Sequence, residues 1–336
     1  MSRFFQTLVI ATLACTVALA APKPLHIYAI DVEGGQATLL VSPSGQSLLV
    51  DTGWAGFGGR DADRIVAAAK AAGIKQIDYL VVTHYHHDHV GGVQQLAQRI
   101  KIGTFLDHGP NRENSDITRQ DYATYQKVIA HARHRVLKPG DRIPLEGLNV
   151  EVLTADGEHI AGALPGAGQP NPYCAGEPQP PTDPSENARS VGMLITYGKF
   201  RFLDLGDLTK QKELALVCPN NRIGTVDLYL VTHHGMDLSN DKALVDAVHA
   251  RAAIMDNGAH KGGSPAAWQI VHDAPGMQDL WQLHYAVDAG KQHNSPDQFL
   301  ANLGETDTGH DIEVTAERDG SFTVLNTRNG FKKTYK

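Results

Sequence analysis

Cysteine is scarce in this chain. Of three among 336 residues, Cys15 lies in an apolar N-terminal run, which leaves only Cys174 and Cys218 for the body of the protein. Two thiols cannot build a Cys₄ or Cys₂His₂ structural zinc site, so any metal must sit on imidazoles and carboxylates. They can form one disulfide in an oxidising compartment, and sequence alone leaves that pairing open. Basic charge is not in excess either: 30 Lys and Arg stand against 37 Asp and Glu, a formal charge of -7 with pI ≈ 6.2. That balance argues against a generally basic nucleic-acid surface without excluding a local one. No repeat of fixed period is visible, and no Gly-x-Ser-x-Gly elbow offers a serine nucleophile.

A second long apolar run is also missing. Residues 1–20 carry one early cation, Arg3, then an apolar stretch over 8–19 and Ala18-Leu19-Ala20 as a small-x-small cleavage site, with Pro22 and Pro24 beyond. That pattern predicts a secretory signal peptide, an uncleaved anchor being the alternative. The mature chain is then expected to lack a membrane span, to be periplasmic or secreted, and to form a single domain over 21–336.

What is present is concentrated in residues 78–92. An apolar run, Tyr79-Leu80-Val81-Val82, has the composition of a buried strand, and Thr83 then opens His84-Tyr85-His86-His87-Asp88-His89. His84, His86, Asp88 and His89 stand in the order His-x-His-x-Asp-His. A strand ending in a tight turn can aim two alternate imidazoles at one point and the next carboxylate and imidazole at another, which suits two adjacent metal ions. Isolated histidines are mostly surface or core residues; four ligand side chains at this spacing behind a strand are not.

On this stretch the chain resembles the metallo-β-lactamase fold superfamily of binuclear metallohydrolases. Asp51-Thr52-Gly53, after an apolar strand, is similar to the superfamily's early Asp-x-Gly motif, whose aspartate supports the metal loop from behind. The loop at 54–59, with Trp54 and Phe57, is by the same resemblance a lip of the substrate cleft.

The remaining pattern alternates strands and helices. Strands are expected over 26–32, 37–41, 47–50, 79–82, 102–106, 191–197, 200–205 and 226–231, near Val136 and Val150, at 252–255, and as a last pair near Ile312 and Phe322. Helices are expected over 61–72, 94–99, 117–131, 209–217 and 264–272. Residues 161–184, dense in Gly, Pro and Ala, read as an irregular insertion: a flap over the site or an excursion tied down by Cys174. His108, past a strand end, reads as a surface turn residue. The fold class is α/β (α+β): an αββα sandwich of two mixed sheets with helices outside, which the resemblance supports.

The resemblance also assigns the site. His84 and His86 suit a first ion, and Asp88 and His89 a second. Asp207, behind a strand and Gly206, resembles the carboxylate that bridges both ions. Thr232-His233-His234-Gly235 resembles the stretch with the final histidine ligand; His234 is preferred as ligand and His233 as the residue facing substrate, with the order left open. Many relatives place another histidine before the strand leading to Gly-Asp, where this chain has Asn187 and Ser190. Asn187 is therefore the expected remaining ligand of the first ion, with His159 as the alternative. Asn187-x-x-Ser190, Thr-His-His-Gly, and a loose Asp-Val-Gly-Gln-Gly-Asp over residues 31–37 resemble the branch containing the nuclease-like domain of the DNA-uptake protein ComEC.

The resemblance implies two divalent ions, zinc first and manganese second because an asparagine oxygen suits a harder ion. It implies activated water attacking a phosphodiester, in nucleic acid or a phosphorylated small molecule, with Asp88, Asp207 and His233 as the catalytic residues. A lactonase or β-lactamase-type hydrolase is the alternative on the same fold, and a metal-binding protein without turnover is the second. No protein partner is implied.

Overall fold

The computed structural model describes residues 23–176, 179–305 and 308–336. The expected signal peptide, residues 1–20, lies outside them. Short strands rich in Leu, Val and Ile, separated by Gly, Pro and Asp turns, assemble into two nine-stranded mixed sheets among the described residues.

In the first sheet Leu25–Ala29 pairs antiparallel with Thr38–Val41 on one side and with Ile312–Ala316 on the other, so the C-terminal strands close around the N-terminal one. Pairing turns parallel from Ser47–Val50 through Gln76–Val81, Lys101–Asp107 and His134–Val136. The second sheet starts antiparallel with Arg142–Ile143, Asn149–Ala155, Gly192–Tyr197 and Phe200–Asp204. It continues parallel through Leu228–Leu230, Ala252–Met255, Asp279–His284 and Leu300–Asn302. Parallel neighbours need long crossovers. Helices Arg60–Ala71, Val93–Ala97 and Asp116–Ile129 supply helical cover for the first sheet; Lys210–Val217, Lys242–Val248 and Pro265–His272 do so for the second.

The period-two alternation of a strand sends successive side chains to opposite faces. Leu48 and Val50 accordingly enter an inner apolar layer with Phe202, Leu228, Ile254 and Trp281 of the other sheet. Leu49 faces outward into a second layer with Ile65, Ala69 and Tyr125. A third layer joins Leu203 and Tyr229 to Leu244, Trp268 and Val271. Three apolar layers between two sheets and two sets of helices make the αββα sandwich expected from the pattern.

Residues 161–176 are anchored rather than loose. Cys174 is disulfide-bonded to Cys218 with Cα atoms 5.8 Å apart. The Asn171 side-chain amide donates to the carbonyls of Val217 and Ala243. Several elements have no counterpart in the sequence reading. Among them are the short strands Glu158–His159, Leu300–Asn302 and Lys332–Tyr335, helix Lys242–Val248, barely two turns long, and strand Asp279–His284, whose buried Gln282 and His284 disguise it as polar.

Candidate metal centre

Every element of the centre lies just past the carboxyl end of a strand, where open α/β sheets place their sites. Asp51 follows Ser47–Val50, His84 follows Gln76–Val81, Asp207 follows Phe200–Asp204, His233 follows Leu228–Leu230 and Asp256 follows Ala252–Met255. The backbone takes left-handed φ values at Asp51 (61°), His233 (57°) and His234 (53°). Such values are uncommon outside glycine and cost energy that the surroundings must offset. The turn at His233 is held by its N–H donating to the Gly206 carbonyl at 3.0 Å, and the His234 carbonyl accepts from Gly263 N at 2.8 Å.

The one-turn helix His87–Val90 presents Asp88 and His89 inward. Thr52 clamps it, donating to the His89 carbonyl from both its amide (2.7 Å) and its hydroxyl (2.9 Å). Gly35 passes so close that a Cβ there would lie 2.4 Å from the Asp88 carbonyl oxygen, so the loop beginning at Asp31 needs glycine at that point.

Asp88, His89, Asp207 and His234, all buried, bring one ligand atom each within 4.8 Å of the others. His89 Nε2 lies 3.1 Å from Asp207 Oδ2, 3.3 Å from Asp88 Oδ2 and 3.1 Å from His234 Nε2. Asp207 is central: Oδ2 is also 3.8 Å from His84 Nε2 and 3.3 Å from His233 Nε2, while Oδ1 is 3.4 Å from His234 Nε2. Outer groups stand behind the rings. Asp51 Oδ2 takes His89 Nδ1 at 2.7 Å and Ser239 Oγ stands 3.1 Å from His233 Nδ1, while Asp256 Oδ1 lies 3.2 Å from His234 Nδ1 without forming a hydrogen bond.

Burial opposes charge on all these groups, and their mutual fields decide the outcome. Burial raises the Asp88 and Asp207 carboxyls, but the neighbouring imidazoles outweigh it and hold both well below the usual carboxylate range. Burial lowers His89, yet the carboxylates of Asp207, Asp88 and Asp51 lift it well above an ordinary histidine. His84, buried beside His89 and His86, is pushed well below. His84 Nε2, Asp207 Oδ1 and Asn187 Oδ1 are moreover buried without a hydrogen-bond partner. Buried polar atoms are rarely left so, and imidazole nitrogen with carboxylate and amide oxygen is a donor set for divalent cations. The residues present fit the two ions that the sequence implies.

The structure brings together most of the residues singled out from sequence. Asp88, His89, Asp207 and His234 converge, and His84 and His233 adjoin Asp207. His86 and Asn187 line a neighbouring cleft of about 590 Å³ with Glu113, Thr209, Lys210, Leu238 and the segment 180–185. His159 turns its Nδ1 to the Ile160 carbonyl at 2.9 Å. His108 departs from expectation: instead of lying on the surface it is 2% exposed, with Nε2 2.9 Å from Glu186 Oε2 and its ring against Tyr85. A carboxylate 78 positions away, invisible locally, accounts for that burial.

Besides Ser239, three residues near the centre escaped the sequence reading. Lys261, in a glycine-rich loop, reaches Asp88 Oδ2 and donates to the Gly34 carbonyl at 2.6 Å, with its ammonium 5.0 Å from the centre of the Trp54 ring. Asp256 backs His234, and Glu113 contacts His86. Each is a lone polar residue in a loop without periodicity. The only cue was position: Asp256 ends an apolar run, as Asp51 does.

The comparisons agree with this geometry. Residues 30–175 match the family model described as metallo-beta-lactamase superfamily. That stretch is similar to the metallo-β-lactamase superfamily, and the described residues carry a candidate His/Asp metal site. The chain is also similar to ComEC-like proteins. It is 25% identical over 260 residues to recombination protein 2 of Haemophilus influenzae, covering 77% of this chain and 27% of that protein. It is 26% identical over 196 residues to ComE operon protein 3 of Bacillus subtilis, covering 56% of this chain and 21% of that protein. The chain thus spans about a quarter of the length of these curated relatives. Among solved structures, the metallo-β-lactamase fold protein YhfI of Bacillus subtilis matches with a TM-score of 0.44 and 14% identity, covering 76% of this chain and 96% of that one. No helix among the described residues is long and apolar enough to cross a membrane.

Proposed function

We propose that this protein is a secreted or periplasmic metal-dependent phosphodiesterase, acting on nucleic acid or a phosphorylated small molecule. The observation that carries the reading is the central Asp207, whose two oxygens face His84, His89 and His233 on one side and His234 on the other. His84, His86 and Asn187 with Asp207 would hold a first cation; Asp88, His89 and His234 with Asp207 would hold a second. Zinc suits the imidazole-rich set, and manganese is the alternative where the Asn187 oxygen contributes. When bound, such a pair acidifies water and polarises the ester.

The chain's own groups do the rest. Asp51 and Ser239 hold the rings of His89 and His233 in orientation, and Asp256 sets a carboxylate behind His234. His233, with Nδ1 beside Ser239, offers Nε2 beside Asp207 as the group that faces the substrate. Lys261 sets an ammonium at the rim, suited to an anionic diester. The cleft beside His86 takes the substrate's flank. The similarity to ComEC-like proteins favours phosphodiesters over lactones or β-lactams. Location outside the cytoplasm is supported by the apolar leader read from the sequence and by the Cys174–Cys218 bond.

The test is a substrate panel. Zinc- or manganese-loaded protein is expected to cleave bis-p-nitrophenyl phosphate, and Asp207→Asn is expected to abolish that cleavage and lower the bound metal from two equivalents. Opening of lactones or β-lactams with no diester cleavage would replace this reading with the carboxyl or amide hydrolase. Zero or one bound metal without turnover would replace it with a binding protein.

A further inference from the structure

The cleft beside the centre contains a carboxylate with no role so far. Glu113 Oε2 lies 2.9 Å from His86 Nε2 and accepts the backbone N–H of Glu186 at 2.9 Å; Glu113 Oε1 accepts from the Thr118 hydroxyl at 3.3 Å. We propose that Glu113 is the positioning residue for the first cation: it fixes His86 as the Nε2–H tautomer, leaving Nδ1 as the ring nitrogen with a free lone pair. The inference rests on the reading that the 84–89 turn holds metal.

The chemistry runs from the acceptor. An ionised carboxylate can only accept, so the nitrogen facing Glu113 must carry the hydrogen, and in a neutral imidazole the other nitrogen is then the base. Histidines that bind metal generally give their second nitrogen to such an acceptor. His89 gives Nδ1 to Asp51 in the same way, and His234 has the Asp256 carboxylate 3.2 Å behind its Nδ1. Glu113 supplies His86 with its counterpart, on the opposite ring atom.

This is not a loose surface ion pair, which would contribute little. His86 and Glu113 are both largely shielded, with side chains 24% and 22% exposed. Glu113 N donates to Asn111 Oδ1 at 2.8 Å, and Ser115 caps the following helix by accepting from Thr118 N at 3.1 Å. The Glu186 amide that Glu113 receives adjoins Asn187, and the Glu186 carboxylate is itself tied to Arg112 N at 2.6 Å and to His108 at 2.9 Å. One carboxylate oxygen therefore joins a first-ion residue to the segment that carries another.

Two variants and one spectrum test this. After dialysis against a mild chelator, wild-type protein is expected to keep two equivalents of zinc. E113A is expected to keep about one, its first-ion affinity down about 10- to 100-fold. E113Q is expected to keep two with only a few-fold loss, since its amide oxygen can take the Oε2 position while its NH₂ faces the Thr118 hydroxyl. Imidazole nitrogen NMR should show His86 as Nε2–H in wild type and E113Q, and as a tautomer mixture in E113A. A folded E113A that binds both ions as wild type overturns the proposal and leaves the hydrolase reading intact. Wild type binding no zinc overturns both. If E113A does not fold, wild type decides: an Nδ1–H His86 overturns the proposal.

Discussion

Asp51 Oδ2 lies 2.7 Å from His89 Nδ1, and the same oxygen takes the Thr83 hydroxyl at 2.6 Å while Oδ1 takes the Thr83 amide at 2.8 Å. A single fully buried carboxylate thus fastens both ends of the 83–89 turn to the strand before it. Burial raises its carboxyl and His89 works against that shift.

Asp51→Asn keeps the size of the side chain but removes the charge behind His89. The expected result is a fold close to wild type with the second cation bound about 10- to 100-fold more weakly. Chelator competition against zinc measures it.

Lys261 offers charge where Asp207 offers geometry. Replacing it by methionine keeps an unbranched stem over Trp54 and removes the ammonium. For bis-p-nitrophenyl phosphate, KM is expected to rise about tenfold with kcat less affected, the pattern of lost ground-state binding. An uncharged phosphotriester should show no such rise, and steady-state kinetics on the pair separates the two.

Asp311 sets a pH dependence remote from the centre. Its Oδ1 accepts the Asp31 N–H at 2.8 Å, and burial, with Asp31 nearby, pushes its carboxyl up to about 7 from 3.8. Between these values the folded protein holds a proton that the unfolded chain has lost. Stability from this group is therefore full below pH 4, declines as pH rises toward 7, and is flat above. Asp311→Asn keeps an acceptor for Asp31 N and cannot ionise. It is expected to gain on the order of 1–3 kcal/mol relative to wild type between pH 4.5 and 8, after allowance for solvent at a half-buried site. Urea unfolding at the two pH values reads this directly.

The Cys174–Cys218 bond closes a loop with a sequence separation of 44. The chain-entropy argument gives it about 4 kcal/mol as a ceiling. Replacing both cysteines by serine is expected to lower the urea midpoint accordingly, with kcat on a small diester little changed because neither sulfur adjoins the metal cluster.

Much of the architecture was legible because burial imposes a period. Leu48-Leu49-Val50 and Tyr79-Leu80-Val81-Val82 read as strands because both faces of their sheet are covered. The ligands were legible where they crowd into one turn, as from His84 to His89, or repeat a strand-Thr-His pattern, as at Thr232. Partnerships across long stretches of chain were not. Glu113 meets His86 from 27 positions away, Lys261 meets Asp88 from 173, and Glu186 draws His108 into the interior from 78. Asp279–His284 stayed hidden because its polar members are satisfied only by tertiary contacts: Gln282 by Trp268 and Ser295, His284 by Asp31.

Asp88 and His89 come from the first sheet, and Asp207 and His234 from the second. Gln36 Nε2, donating to Asp204 Oδ2 at 2.9 Å, is a buried rivet between them. Neither half of the polypeptide owns a complete coordination sphere. The cluster therefore exists only when one sheet is docked against the other, and a chain that stops before Leu228–Leu230 holds only part of it.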